Sequence, residues 1–341
     1  MTANDFKAEL RRLSGGYLFC GEEDYLKRYY MGAARNAVTE KNDIFNRILI
    51  TADNYSADNL MSSIESLPVM NDKKFIEISG LPFNEMREQD IEDMTEVLSK
   101  LPDYEYDVLI IYADAENFDA GTPKQPSKLF KKLSKVVKPV LFPRETPARL
   151  AAWVAKHFAA ELVVAPPDAV NALLAKCGCD MSVLSSEIEK LCWYLKAANR
   201  EKLTEADVAL VASESKEIAA FDFTNAILDG KISKALSILT ELRLKKEKPE
   251  IILSGISKVI CELCAVKALM ESGSGSQMIA QKLKMHPFKA GLYMKSASAA
   301  DSDKLKRLAA ICYDADIRIK STPLDSYGVL DRLTVEAAMR G

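Results

Sequence analysis

Along the first 143 residues the spacing of apolar positions switches repeatedly between a helical and a strand period. A helical pattern near residues 3–13 precedes the short β-prone run Tyr17-Leu18-Phe19-Cys20, which stops at Gly21. Glu22-Glu23-Asp24 then open a helix carrying Tyr25, Leu26, Tyr29, Tyr30 and Ala33 on its apolar side. Strand patterns follow at Arg47 to Thr51 and Lys74 to Ser79, and a helix covers residues 87–101. Val108-Leu109-Ile110-Ile111-Tyr112 is a nearly uninterrupted apolar run, the pattern of a strand covered on both faces. A basic helix from Ser127 to Lys135 leads to a last strand from Val137 to Phe142. Strands separated by helical segments predict a mostly parallel α/β sheet with helices on both sides.

Pro143 and Pro147 punctuate the chain, and strand patterns then largely cease. Residues 144–213 read as a small helical domain and residues 214–341 as a second all-helical one, giving boundaries at 1–143, 144–213 and 214–341. In the last domain Ile251, Ile252, Ile256, Val259, Ile260 and Leu263 mark a long apolar face. That face is larger than one small bundle obviously needs, which predicts an oligomerisation surface.

One stretch breaks the usual rule that helix–strand connections are polar. Leu60, Met61, Ile64 and Leu67 recur at three- and four-residue spacing, as on one face of a short helix. The strand that follows begins near Phe75, Ile76 and Ile78. Between them Leu67, Val69 and Met70 form an apolar knob bent by Pro68 and followed by Asn71-Asp72-Lys73-Lys74, four polar residues that favour exposure. The knob reads either as core tucked under the sheet or as an exposed wedge that fills a partner's pocket.

Composition narrows the choice of function. The chain has 341 residues, 48% hydrophobic and 28% charged, a globular profile long enough for two or three domains. Its net charge of −3 gives no global drive toward nucleic acid or acidic membrane, so any DNA contact must be local. No apolar run is long enough to span a membrane, and the N-terminus lacks a signal-peptide layout. The expected location is cytoplasmic. The 7 cysteines are scattered and odd in number, unlike a secreted disulfide framework. Cys261 and Cys264, and Cys177-Gly178-Cys179, read as buried thiols rather than metal ligands, since His157 and His286 lie far from the latter pair.

Catalytic patterns are missing. The strand, glycine and helix at residues 17–30 sit where an ATP-binding domain carries its phosphate loop. Cys20-Gly21-Glu22-Glu23-Asp24-Tyr25-Leu26-Lys27 has no second glycine and no Gly-Lys pair, and three carboxylates occupy the polyphosphate position. As structure, those acids complement a helix N-terminus. Ala113-Asp114-Ala115-Glu116 reads as a strand-end turn. Two isolated histidines offer no Ser/His/Asp arrangement. No catalytic residue, cofactor site or metal site is expected. Lys124, Lys128, Lys131, Lys132, Lys135 and Lys138 form a basic cluster, four of them on one helical face by spacing, and Arg243, Lys245, Lys246 and Lys248 form another. Either could touch phosphates, and solvated faces balanced by acids are the simpler account.

Taken together, several stretches resemble one family. Tyr17-Leu18-Phe19-Cys20-Gly21-Glu22-Glu23-Asp24-Tyr25-Leu26 and Ser66-Leu67-Pro68-Val69-Met70-Asn71-Asp72-Lys73-Lys74 are similar to motifs of the delta subunit of bacterial DNA polymerase III. So are Ser186-Glu187-Ile188-Glu189-Lys190-Leu191, Phe221-Asp222-Phe223, the stretch Ile279 to Phe288, and Asp314 to Lys320, in the family's order over essentially the whole length. The resemblance implies an ATPase-like (AAA+-type) α/β domain without a phosphate loop, a helical lid-like domain, and a helical collar that assembles the chain. The implied partners are ATP-hydrolysing motor subunits and a further non-motor subunit in a hetero-pentamer, the beta sliding clamp, and primed DNA through the assembly. No membrane partner is implied. The implied role is to bind and open the clamp within a DNA-directed DNA polymerase (nucleotidyltransferase) holoenzyme, with Leu67, Val69 and Met70 as the clamp-binding wedge. Met70 departs from the phenylalanine common at that position. A flexible thioether side chain can fill the same pocket. The alternative is a helical DNA-binding or scaffold protein with a degenerate ATPase-like domain.

Overall fold

Five parallel strands organise the first 144 residues of the computed structural model, which describes residues 1–40, 43–122, 125–321 and 325–339. The elements run α1 (Ala3–Glu9), β1 (Gly15–Cys20), α2 (Asp24–Val38), β2 (Arg47–Ile50), α3 (Ala57–Glu65), β3 (Lys74–Ile78), α4 (Glu88–Ser99), β4 (Asp107–Tyr112), α5 (Lys128–Leu133) and β5 (Lys138–Leu141). Strand order is β2-β3-β4-β1-β5, with every named pair parallel. Alternate side chains of each strand point to opposite faces. Leu18, Ile76, Ile78, Leu109 and Ile111 meet Leu60 and Ile64 of α3, Met94 and Leu98 of α4 and Leu133 of α5. Tyr17, Phe19, Phe75, Val108 and Ile110 meet Phe6 of α1 and Tyr30, Met31 and Ala34 of α2. Burial on both faces explains why β4 reads as a continuous apolar run.

Residues 145–341 form the second unit, all helical: α6 (Pro147–Ala160), α7 (Pro167–Cys177), α8 (Met181–Ala197), α9 (Glu205–Val211), α10 (Lys216–Leu228), α11 (Ile232–Leu244), α12 (Pro249–Glu271), α13 (Ser276–Lys282), α14 (Pro287–Ala299), α15 (Ser302–Ser321) and α16 (Ser326–Met339). The Thr204 capping box closes both ways with Asp207 at the start of α9. The long α12 packs against α10, α14, α15 and α16. Its apolar face is consumed there: Ile252, Ile256, Val259, Ile260 and Leu263 are buried in this bundle's own core, and only Ile251 of the six is exposed. The predicted surplus of apolar surface is therefore corrected, because neighbouring helices of the same unit cover what the sequence presented as one stripe.

Three smaller expectations change too. Cys20, Cys177, Cys192 and Cys312 are buried, but Cys261 is exposed, one turn from the half-buried Cys264. α5 ends at Leu133, so Lys135 lies beyond the helix, and Lys132 pairs with Glu88 and Glu92 of α4 at 3.0 Å each. Lys124 lies outside the described residues. His286 is no isolated residue: its Nε2 lies 2.6 Å from the Glu145 carbonyl and its Nδ1 accepts from the Phe288 amide at the start of α14.

Candidate functional site

α3 begins cleanly, with the Ser56 hydroxyl accepting from the Asn59 amide. It ends at Glu65, one residue before an extended Ser66, so Leu67 leaves the helix face on which its spacing had placed it. Leu67 precedes Pro68, a context that disfavours helical backbone. Leu60 and Ile64 stay buried under the sheet, whereas Leu67 is 73% exposed, Val69 50% and Met70 104%. Met70 holds φ at +53°, in the left-handed region that costs a bulky side chain energy. Three apolar side chains thus stand in solvent on a backbone that is not relaxed.

Two buried polar side chains hold that backbone from below. Lys74 opens β3, and the sequence pattern places it among the exposed polar flank; it is instead 1% exposed. Its Nζ donates to the Ile64 carbonyl at 2.9 Å, to the Ser66 carbonyl, and to Ser66 Oγ at 3.0 Å. These are orphan acceptors at the exit of α3, and an ammonium there also complements the helix dipole. Lys74 stands in register with Asp107 of β4, 3.3 Å from its Oδ1. Burial pushes the Asp107 carboxyl up to about 7 against the opposing pull of Lys74. Burial lowers the Lys74 ammonium, with Asp107 working the other way. The second anchor is Asn46, at the end of the turn before β2. Its Oδ1 accepts the Val69 amide at 2.7 Å and its Nδ2 donates to the Val69 carbonyl at 2.9 Å.

The position of a phosphate loop is filled by other contacts. Lys27 is fully buried, its Nζ 2.7 Å from both the Ala113 carbonyl and Asp24 Oδ1 and 5.0 Å from the Tyr112 ring. Glu22 lies 3.5 Å from Arg144, and Tyr112 donates to Asp24 Oδ1 at 3.1 Å. Asp114 is raised chiefly by burial and next by Asp24. Among the described residues no group of three or more His, Cys, Asp or Glu side chains could hold a metal ion.

Residues 17–140 match the model of the DNA polymerase III delta subunit, and residues 217–337 match that of its C-terminal domain. The chain belongs to the DNA polymerase III delta subunit family. It is 24% identical over 335 residues to the DNA polymerase III subunit delta of Bacillus subtilis (strain 168), covering 95% of this chain and 93% of that protein. Its fold is similar to that of the Bacillus subtilis DNA clamp loader delta protein (YqeN), with a TM-score of 0.74 and 22% identity over 99% of this chain and 100% of the other. The fold class is a parallel α/β domain followed by helices. Knob positions in this delta-family chain were legible as apolar residues in a loop. Asn46 and Lys74 were not, and neither were Ile44 and Phe45, which are exposed on the turn that ends at Asn46. Two adjacent bulky apolar residues between Asp43 and Asn46 were the available signal.

Proposed function

We propose that this chain is the non-ATPase delta subunit of a DNA polymerase III clamp loader, and that it binds and opens the beta sliding clamp through Leu67, Val69 and Met70. The observation that carries the reading is the knob itself: three apolar side chains kept in water by backbone anchors on Lys74 and Asn46. A fold that fixes apolar groups outward gains nothing from them until a partner covers them. Each such side chain, fully buried, contributes roughly 1.5–3 kcal/mol. Binding the open ring better than the closed one would shift the clamp's population toward opening. In this reading residues 144–213 are a lid-like domain, and residues 214–341 are a collar that joins motor subunits and a second non-motor subunit in a hetero-pentamer. Primed DNA is met through that assembly, in the cytoplasm.

Titration of the full-length chain with the beta clamp of the same organism tests it. Leu67→Ala with Met70→Ala is expected to lose roughly 2–5 kcal/mol of affinity, about thirtyfold to several-thousandfold. Unchanged affinity in a folded variant would overturn the reading.

A further inference from the structure

We propose that the turn from Asp43 to Asn46 is a second lobe of the same clamp-binding surface, presenting Ile44 and Phe45 beside the knob, with Asn46 as the residue that locks the lobes together. This inference rests on the reading of the knob as the clamp contact. Ile44 is 77% exposed and Phe45 72%, a costly placement for two adjacent bulky apolar side chains. Their turn is tightly tied. Asp43 Oδ1 accepts the amides of Phe45 at 3.1 Å and Asn46 at 2.9 Å, and its Oδ2 accepts from Asn46 Nδ2 at 2.7 Å. These hydrogen bonds from Asn46 hold the Asp43 carboxyl below its usual range.

The same groups bind the knob. Asn46 grips both backbone polar groups of Val69, and Asn71 Nδ2 lies 3.4 Å from Asp43 Oδ2. Segments 43–46 and 69–71 therefore form one hydrogen-bonded body that carries the exposed apolar residues 44, 45, 69 and 70, with Leu67 two residues before it. The chemistry at position 46 is specific. The amide uses its donors on Asp43 and on the Val69 carbonyl, and its oxygen on the Val69 amide. An aspartate there would set an acceptor against two acceptors. Ordering both lobes before contact removes a cost that binding would otherwise carry. A partner that receives the knob would cover Ile44 and Phe45 in the same encounter.

The test titrates full-length variants with the same clamp and follows their thermal midpoints. Ile44→Ser with Phe45→Ser should bind at least about tenfold more weakly, with an unchanged midpoint. Asn46→Ala should also weaken binding about tenfold or more, and amide hydrogen exchange at Val69 should accelerate while exchange in β3 and β4 stays slow. If the 44/45 variant binds like the wild type while Leu67→Ala/Met70→Ala fails to bind, the second lobe is overturned and the knob reading stands. If both variants bind like the wild type, the clamp reading falls and the second lobe falls with it. Retained affinity and retained Val69 protection in Asn46→Ala would overturn its positioning role.

Discussion

Lys74 and Asp107 face each other in register at the starts of β3 and β4, 3.3 Å apart and out of reach of solvent, directly beneath the exit of α3. The pair makes stability depend on pH near neutrality. Asp107 titrates at about 7 when folded, well above the ordinary carboxylate range, so between about pH 4 and 7 the folded state holds a proton that the unfolded chain has lost. Stability from this group is fully present below about pH 4 and falls as pH rises to about 7. Lys74 shifts in the opposite sense, so its unfavourable contribution fades as pH climbs toward the ordinary lysine value. Asp107→Asn should flatten the profile between about pH 4 and 7, measured by denaturant melts across that window. Lys74→Met alone should cost about 3–5 kcal/mol near pH 8, because Asp107 and the carbonyls at the exit of α3 lose their buried partner.

The knob and the helix before it should respond oppositely to truncation. Leu67→Ala with Met70→Ala is expected to stay within about 1 kcal/mol of wild-type stability, as exposed substitutions do. Leu60→Ala, fully buried on α3, should cost about 2–5 kcal/mol. Chemical denaturation of the two variants side by side checks this, and a large loss in the knob variant would return those residues to the core.

Met70 permits a sharper separation. Its left-handed backbone suits glycine, so Met70→Gly removes the side chain while relieving a cost of about 1–2 kcal/mol. Glycine's greater freedom in the unfolded chain offsets part of that gain. The expected result is an equal or slightly higher thermal midpoint together with weaker clamp binding. A clear drop in midpoint would mean that the Met70 side chain supports the fold.

Nucleotide should not bind at the end of β1. Lys27 is committed to Asp24 and the Ala113 carbonyl, and the acidic Glu22 and Asp24 occupy the approach to α2. Equilibrium titration with ATP and magnesium should give no saturable signal near cellular concentrations. A stoichiometric micromolar site would refute this.

What the sequence made legible was what periodicity encodes. The β4 run from Val108 to Tyr112 and the Leu60/Ile64 stripe report burial within one element, and both fall where the pattern puts them. The anchors of the knob depend on partners elsewhere in the chain. Asn46 meets Val69, 23 residues away, and Lys74 meets Asp107 across the sheet, so neither contact leaves a local pattern. A lysine beside Asn71-Asp72-Lys73 reads as solvated by composition, and only strand pairing reveals that its position is interior. The six-residue stripe on α12 failed for the complementary reason. Periodicity says that a face is covered, and it is silent on whether the cover is the same chain or another.

Gly21 holds φ at +117°, and a Cβ there would come within 2.3 Å of the Phe142 carbonyl oxygen. That same oxygen accepts the Glu23 amide at 3.0 Å, while the Phe142 amide donates to Cys20 at 2.8 Å. The turn is thus stitched to the segment after β5, and the Glu23 N–H that an anion would need is already spent. Grafting a glycine, a lysine and a threonine onto residues 22–28 would consequently not recreate a nucleotide cradle. The graft would also have to unpick the seam that closes the edge of the sheet, so the loss of the motif here is a property of the backbone as much as of the side chains.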